Sequence, residues 1–333
     1  DPARFALLQL EGRAGFESAV AAVVSELAAL AALLESQAQR SEGLESCWRR
    51  AGELLERLRS WQSGANADFV RWGETHTHSL QLNATPLVIG EIMHKQMSGH
   101  PRAWIFTSAT LAVQNDFSHY CAEMGLGDAS TARWESPFDY PRQALLYAPR
   151  NLPDPNSLAY VEAVVKAALP LLRASGGRAF LLCTSLRAMR RAHELLAEQL
   201  AAAGLDLPLL LQGERSKNEL LERFRRLGNA ILIGSQSFWE GVDVRGEALS
   251  LVVIDKLPFA SPDDPVLAAR IERLRSEGRN AFMEYQLPRT VINVKQGAGR
   301  LIRDESDRGV LMICDPRLIS KPYGKRIWRS LPP

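Results

Sequence analysis

The chain has little that would let it work through a metal, a thiol or bulk charge. Its 333 residues include four cysteines, Cys47, Cys121, Cys183 and Cys314, far apart in sequence and in no CxxC or Cys/His arrangement of metal-ligand spacing. Cys183 and Cys314 sit in apolar, strand-like runs, where small buried hydrophobes are expected, and a reducing, cytoplasmic setting fits. Charge of one sign is not in excess: 40 basic against 38 acidic residues leave a net +2. That excludes a general polyanion binder, so nucleic-acid contacts would have to come from local placement of groups. No apolar run approaches the ~20 residues of a membrane span. The Ala/Leu-rich stretch 19–34 is broken by Ser25 and Glu26 and reads as an amphipathic helix. There is no secretory signal pattern. The chain opens on Asp1-Pro2 without a methionine and is expected to be a piece of a longer polypeptide.

Also lacking is any GxxxxGK[ST] loop to cradle phosphates. Gly213-Glu214-Arg215-Ser216-Lys217 and Gly324-Lys325 do not fit it. No strand ends in an Asp-Glu pair that would hold magnesium. Asp255 and Asp315 each end an apolar run, but neither has a second acid beside it to act as a base. His76 and His78 share one face of a strand without a third ligand.

What is present is a change of pattern along the chain. Apolar residues recur at helical spacing through Val20, Val23, Val24, Leu27, Leu30, Leu33 and Leu34, and again through Leu54, Leu55, Leu58 and Trp61. The spacing predicts a helical hairpin over residues 15–62, interrupted at Ser41-Glu42-Gly43. Residues 69–72 and 79–82 read as strands, Pro86 as the start of a short helix, and 104–106 as a buried strand. From about residue 142, Val/Ile/Leu strands at 179–183, 207–211, 230–233, 249–254 and 310–313 alternate with helices. The pattern predicts an α/β fold, a parallel sheet covered by helices on both faces, with ligands at the C-terminal ends of its strands.

Three predicted strands end in hydroxyl or amide residues: Thr107-Ser108-Ala109-Thr110, Thr184-Ser185, and Ser235-Gln236. Such a rim can hold a phosphodiester backbone without reading bases, although Ser and Thr there also cap helices. In Gln296-Gly297-Ala298-Gly299-Arg300-Leu301-Ile302-Arg303, a continuous helix would set Gln296, Arg300 and Arg303 on one face. Arginine suits phosphate oxygens because its planar fork pairs with them at fixed geometry. Each interior glycine costs a helix ~1 kcal/mol relative to alanine, which points to a close approach of the backbone to something. Phe238 and Trp239 read either as core or as base-stacking rings.

The segments TSATL (107–111), LLCTS (181–185), GSQSFWEGVDVRG (234–246), DKLPF (255–259) and QGAGRLIRDESDRG (296–309) resemble, in order, motifs of XPD/DinG-type superfamily 2 DNA helicases, with the bacterial DinG/YoaA branch nearest. The resemblance covers roughly residues 80–333. It implies a RecA-like lobe 2 over 116–333, the tail of lobe 1 over 64–115 and a helical Arch-like segment over 1–63. It also implies ATP and Mg2+ as ligands of the intact enzyme. The Walker A loop, DEAH box and iron–sulfur cysteines would lie upstream of Asp1.

By the same resemblance, Gln296, Arg300 and Arg303 would face the nucleotide. Glu240, Gly241, Asp243 and Gly299 would line it, and Ser108 and Thr110 would couple it to movement. Thr184, Ser185, Ser235 and Gln236 would grip single-stranded DNA, with translocation 5′ to 3′. The implied partners are single-stranded DNA, the N-terminal lobe of the same polypeptide, and unidentified replication or repair proteins. A stand-alone RecA-like module that binds nucleic acid or protein without catalysis is the alternative.

Overall fold

The computed structural model describes residues 3–7, 14–64, 68–99, 102–235, 238–239, 242, 244 and 246–332. Contacts divide the chain into two compact units. The first comprises Asp1–Pro101, Glu123–Gly125 and Ala260–Ala281; the second comprises Arg102–Ala122, Leu126–Phe259 and Phe282–Pro333. This division does not follow chain order as the boundaries at 63 and 115 do, because a late helix returns to the first unit.

In the first unit, α1 (Ala14–Gln37) and α2 (Glu42–Ser63) form the expected hairpin. Ser41 caps α2 by accepting the Leu44 N–H at 3.2 Å, and Gly64 ends it in the left-handed conformation at φ 58°. Ala31, Ala51 and Leu55 form the buried part of their seam. By length and composition, residues Gly15–Arg40 could cross a membrane. Ser25 and Glu26 make the stretch read as too broken for a span, whereas by length and composition it passes; it is helical as expected, and α1 packs on α2.

Strands β1 (Ala3–Ala6), β2 (Phe69–Thr75) and β3 (Leu80–Pro86) make an antiparallel sheet in that order. Pro86 closes β3 rather than opening a helix; α3 (Gly90–Ser98) begins four residues on. The late helix (Pro265–Ser276; α9 in chain order) starts with Asp264 as its cap and Pro265 in its first turn. It packs on β1 and β2 and adds an Arg273–Asp68 ion pair at 3.1 Å.

The second unit carries a six-stranded, all-parallel sheet. Its strands are β4 (Ala144–Tyr147), β5 (Ala179–Leu182), β6 (Leu209–Leu211), β7 (Ile231–Gly234), β8 (Leu251–Ile254) and β9 (Gly309–Ile313). The order across the sheet is β4-β9-β8-β5-β7-β6. β5, β7 and β8 are buried throughout, as continuous apolar runs require.

Helices α6 (Tyr160–Ala174) and α7 (Leu186–Ala202) enclose one core with the sheet. α8 (Lys217–Leu227) and α10 (Leu287–Ala298) enclose the other. At ~1.5–3 kcal/mol for each fully buried large aliphatic or aromatic side chain, these two cores dominate the favourable side of folding.

From β5 the chain goes outward to β6 and back to β7, then passes β5 to reach β8. The connections therefore diverge between β5 and β8, the place where open parallel sheets form a crevice. Residues 104–106 are not a strand: Ile105 is 83% exposed and Trp104 39%. A strand needs a hydrogen-bonded neighbour, and none among the described residues pairs with this segment. Trp104 and Phe106 stack on each other at 6.5 Å instead.

Candidate functional site

The arginine segment is held differently from its sequence pattern. α10 stops at Ala298, and Gly299 caps it, so Arg300 and Arg303 do not continue a helical face with Gln296. Two glycines within three residues remove the propensity that would carry the helix further. The arginines still meet: the Arg300 Nη1 and Arg303 Nη2 groups both donate to the Val242 carbonyl, the second at 3.1 Å. Arg300 Nε also donates to the Gln296 carbonyl at 3.0 Å. Two half-buried guanidiniums are thus fixed on one backbone oxygen.

Asp307 organises this turn. Its buried carboxylate accepts the N–H groups of Arg303 (2.7 Å), Asp304 (2.9 Å) and Gly246 (2.9 Å). The Gln143 side-chain amide donates to the carbonyls of Asp304, Glu305 and Asp307 at 2.9–3.1 Å. Gln143 leads into β4, Asp307 into β9 and Gly246 into β8, so the loops entering three adjacent strands are tied together. Neither Asp307 nor Gln143 stood out in the sequence. Gln143 acts on carbonyls of a loop distant in the chain, and Asp307 joins two N–H groups of its own turn to the distant Gly246 N–H, so neither long-range tie leaves a spacing to read.

Gly297 is explained by packing. A Cβ there would lie 3.0 Å from the Trp239 ring and 3.2 Å from Ile254 Cδ1. Trp239 and Phe238 are buried in the core, which decides against base stacking. Glu240, Gly241, Asp243 and Gln236 lie outside the described residues.

At the other end of the sheet, the hydroxyl residues are engaged by the fold. Thr184 donates its N–H to Asp255 Oδ1 at 3.0 Å and reaches Oδ2 with its hydroxyl at 3.4 Å. Ser185 caps α7 by accepting the Ala188 N–H at 3.2 Å. Ser235 donates its N–H (2.7 Å) and hydroxyl (3.1 Å) to Gln212 Oε1. Ser108 and Thr110 contact each other at 3.3 Å in an exposed loop. Just beyond them, the Lys295 ammonium donates to the Ala112 carbonyl at 3.1 Å, tying this segment to the residue before Gln296. Burial holds the Lys295 pKa below the usual lysine value.

The segment from Ser235 to Gly246 leaves the C-terminal end of β7 and delivers the chain to the N-terminal end of β8. It therefore runs from the hydroxyl-lined edge to the arginine-lined edge, a span of about 13 Å at ~3.3 Å per strand residue.

Asp255 and Asp315 act as struts. Burial raises the Asp255 pKa to about 7, against the lowering effect of the Lys256 and Thr184 hydrogen bonds. Tyr160 donates its hydroxyl to the carbonyls of Asp255 (2.7 Å) and Cys314 (3.2 Å). Asp315 accepts the Leu257 N–H at 2.9 Å and a bidentate contact from Arg317. The cavity beside Asp255, lined also by Tyr160 and Cys183, holds about 10 Å³. That is room for about one water and far too little for a nucleotide. Among the described residues, no group of three or more His, Cys, Asp or Glu side chains is placed to ligate a metal ion.

The chain is similar to known proteins in both sequence and fold. Residues 168–333 match the helicase C-terminal domain family. The ATP-dependent DNA helicase YoaA of Escherichia coli is 47% identical over 294 residues, 88% of this chain and 45% of the relative. The ATP-dependent helicase DinG of Mycobacterium tuberculosis is 36% identical over 259 residues, 76% of this chain and 38% of the relative. The chain thus spans less than half the length of these relatives. A solved XPD helicase structure superposes with a TM-score of 0.56 at 18% identity, covering 89% of this chain and 54% of that one. The six-stranded lobe is accordingly RecA-like.

Proposed function

This chain belongs to the XPD/DinG-type family of ATP-dependent DNA helicases, and on that premise we propose that it supplies the second lobe of such an enzyme. In this reading the lobe contributes arginines and strand contacts to an ATP site whose phosphate loop and acidic box belong to another part of the protein. The observation that carries it is the Arg300/Arg303 pair, fixed on one carbonyl by a turn that Asp307 holds.

Such a pair is pre-organised for charge developing on a transferred phosphoryl group. It costs no reorganisation at the moment of reaction. Gln296 and Gly299 lie at the end of the helix that leads to it, and in this reading they face the nucleotide. Thr184, Ser185 and Ser235 form the opposite, strand-gripping edge with neutral hydroxyls, which suits sequence-independent contact with a phosphodiester backbone. Residues 235–246 join the two edges. ATP draws the lobes together, hydrolysis releases them, and the alternating grip moves the strand 5′ to 3′. Ser108 and Thr110 sit in the segment that Lys295 ties to α10 and couple the two events. Residues 1–63 act as an Arch-like element and 64–115 as the end of lobe 1. Single-stranded DNA, ATP and Mg2+ are the ligands of the whole enzyme, and an iron–sulfur cluster belongs to the part of it outside this chain.

The test is DNA-stimulated ATP hydrolysis by the full-length protein. Arg303→Ala is expected to lower the turnover rate by ~10³–10⁵, the range for an arginine that stabilises phosphoryl transfer, while single-strand affinity without nucleotide changes less than about twofold. Retained hydrolysis in that variant would overturn the assignment.

A further inference from the structure

Asp255 follows strand β8 and opens the DKLPF segment, at the point where the sheet connections diverge, and the proposed ATP and strand contacts give it no part. It is 5% exposed. Its Oδ1 accepts the N–H groups of Thr184 (3.0 Å) and Lys256 (2.7 Å), and its Oδ2 faces the Thr184 hydroxyl at 3.4 Å. Every packed element presents a definite group to it. The end of β5 brings the Cys183 thiol and α6 brings the Tyr160 hydroxyl. The end of β9 brings Cys314 and Asp315, the latter neutralised by Arg317, while α7 brings only Ala188 and Ala192. Lys256 is the cation on its own segment.

We propose that Asp255 is a positioning residue for Thr184, and that its proton decides whether the Thr184 hydroxyl can donate to a phosphodiester oxygen. The inference rests on the reading of Thr184 as part of the strand grip. An ionised carboxylate only accepts hydrogen bonds. The Thr184 O–H must then point into Asp255 and offers the outside only lone pairs, which a phosphate oxygen cannot use. A neutral carboxyl donates from Oδ2 to Thr184 Oγ1. The hydroxyl hydrogen is then free to turn outward, and one negative charge beneath the phosphate is removed. Binding a phosphodiester therefore favours the neutral form, so binding takes up a proton and affinity falls as pH rises through neutrality. Burial supports this, since it already holds the Asp255 pKa at about 7. Asp255→Asn keeps Oδ1 as acceptor and places a permanent donor opposite Thr184 Oγ1. It copies the neutral arrangement at every pH.

The experiment measures binding of a fluorescent oligothymidylate to the full-length protein from pH 6 to 8.5 at fixed ionic strength, without nucleotide. It compares wild type, D255N and T184V. Wild type is expected to lose roughly threefold to tenfold in affinity across the range, a tenfold change being one pKa unit of coupling. D255N is expected to hold the low-pH affinity throughout, and T184V to bind more weakly with a flatter profile. Calorimetry at pH 7 in two buffers of different ionisation heat should show proton uptake by wild type and little by either variant. D255N that keeps the wild-type slope and uptake, beside a weakened T184V, overturns this inference and leaves the grip intact. T184V that binds like wild type at every pH overturns both. If D255N folds poorly, T184V decides alone: wild-type proton uptake in a weakened T184V overturns the inference.

Discussion

At the scale of single residues, two side chains sit where local rules and surroundings pull in opposite directions. Asp255 is a carboxylate held at a pKa of about 7 by burial, against an ordinary value of 3.8. Between those pH values the folded protein holds a proton that the unfolded chain has released. Stability therefore falls as pH rises through that window, and the whole cost is present above pH 7. Asp255→Asn removes the ionisation and keeps the acceptor, so it should stabilise the protein above pH 7 by roughly 1–3 kcal/mol and have little effect near pH 4. Urea titrations at the two pH values check this; equal effects at both would contradict it. Gly297 sits in α10, where alanine would gain ~1 kcal/mol of helix propensity. The Trp239 ring at 3.0 Å and Ile254 at 3.2 Å would have to give by a few tenths of an ångström to admit a methyl. Overpacking costs ~1–3 kcal/mol, so Gly297→Ala should lower the urea midpoint with little change in slope.

At the scale of elements, the informative unit is the loop between α10 and β9. Its backbone N–H groups converge on Asp307 and its carbonyls on Gln143, so two side chains set its shape. Asp307→Ala would leave the part-buried N–H donors of Arg303, Asp304 and Gly246 without their acceptor. That costs ~1–3 kcal/mol for each donor that water cannot reach. The fold should survive with a lower melting temperature, while ATP hydrolysis by the full-length protein falls toward that of Arg303→Ala. Hydrolysis at the wild-type rate would mean that the arginines keep their place without Asp307. Caps act at the same scale. Ser41→Ala removes the acceptor for Leu44 N–H and should destabilise the α1/α2 hairpin by ~1 kcal/mol.

At the scale of the whole molecule, parallel pairing makes the chain travel. The strands of the large sheet are all parallel, so the connection from β7 to β8 must return the chain from the C-terminal ends of the strands to their N-terminal ends. At the same scale, Trp104 and Ile105 are exposed in an apolar, strand-like segment that has no strand beside it among the described residues. Its amides should exchange with solvent deuterium far faster than those of β5, β7 and β8. Equal protection would require a pairing not seen here.

The sequence by itself determined the elements that depend on neighbours along the chain. The β5, β7, β8 and β9 runs, the amphipathic helices α6 to α8 and the α1/α2 hairpin follow from periodicity and caps, and the family follows from five motifs in order. It also brought Arg300 and Arg303 forward, although for the wrong geometric reason, since a helix broken by Gly299 cannot align them. Tertiary structure decided what depends on partners distant in the chain. It put Phe238 and Trp239 in the core, made Ser185 a helix cap, left 104–106 without a strand partner, and sent residues 260–281 to the first unit. The physical reason is one of range. Periodicity and capping are settled within a few residues, whereas the Val242 carbonyl that gathers the arginines, the Gln143 amide that holds their loop and the Gly246 N–H that Asp307 accepts meet their partners only after the sheet has brought distant loops together.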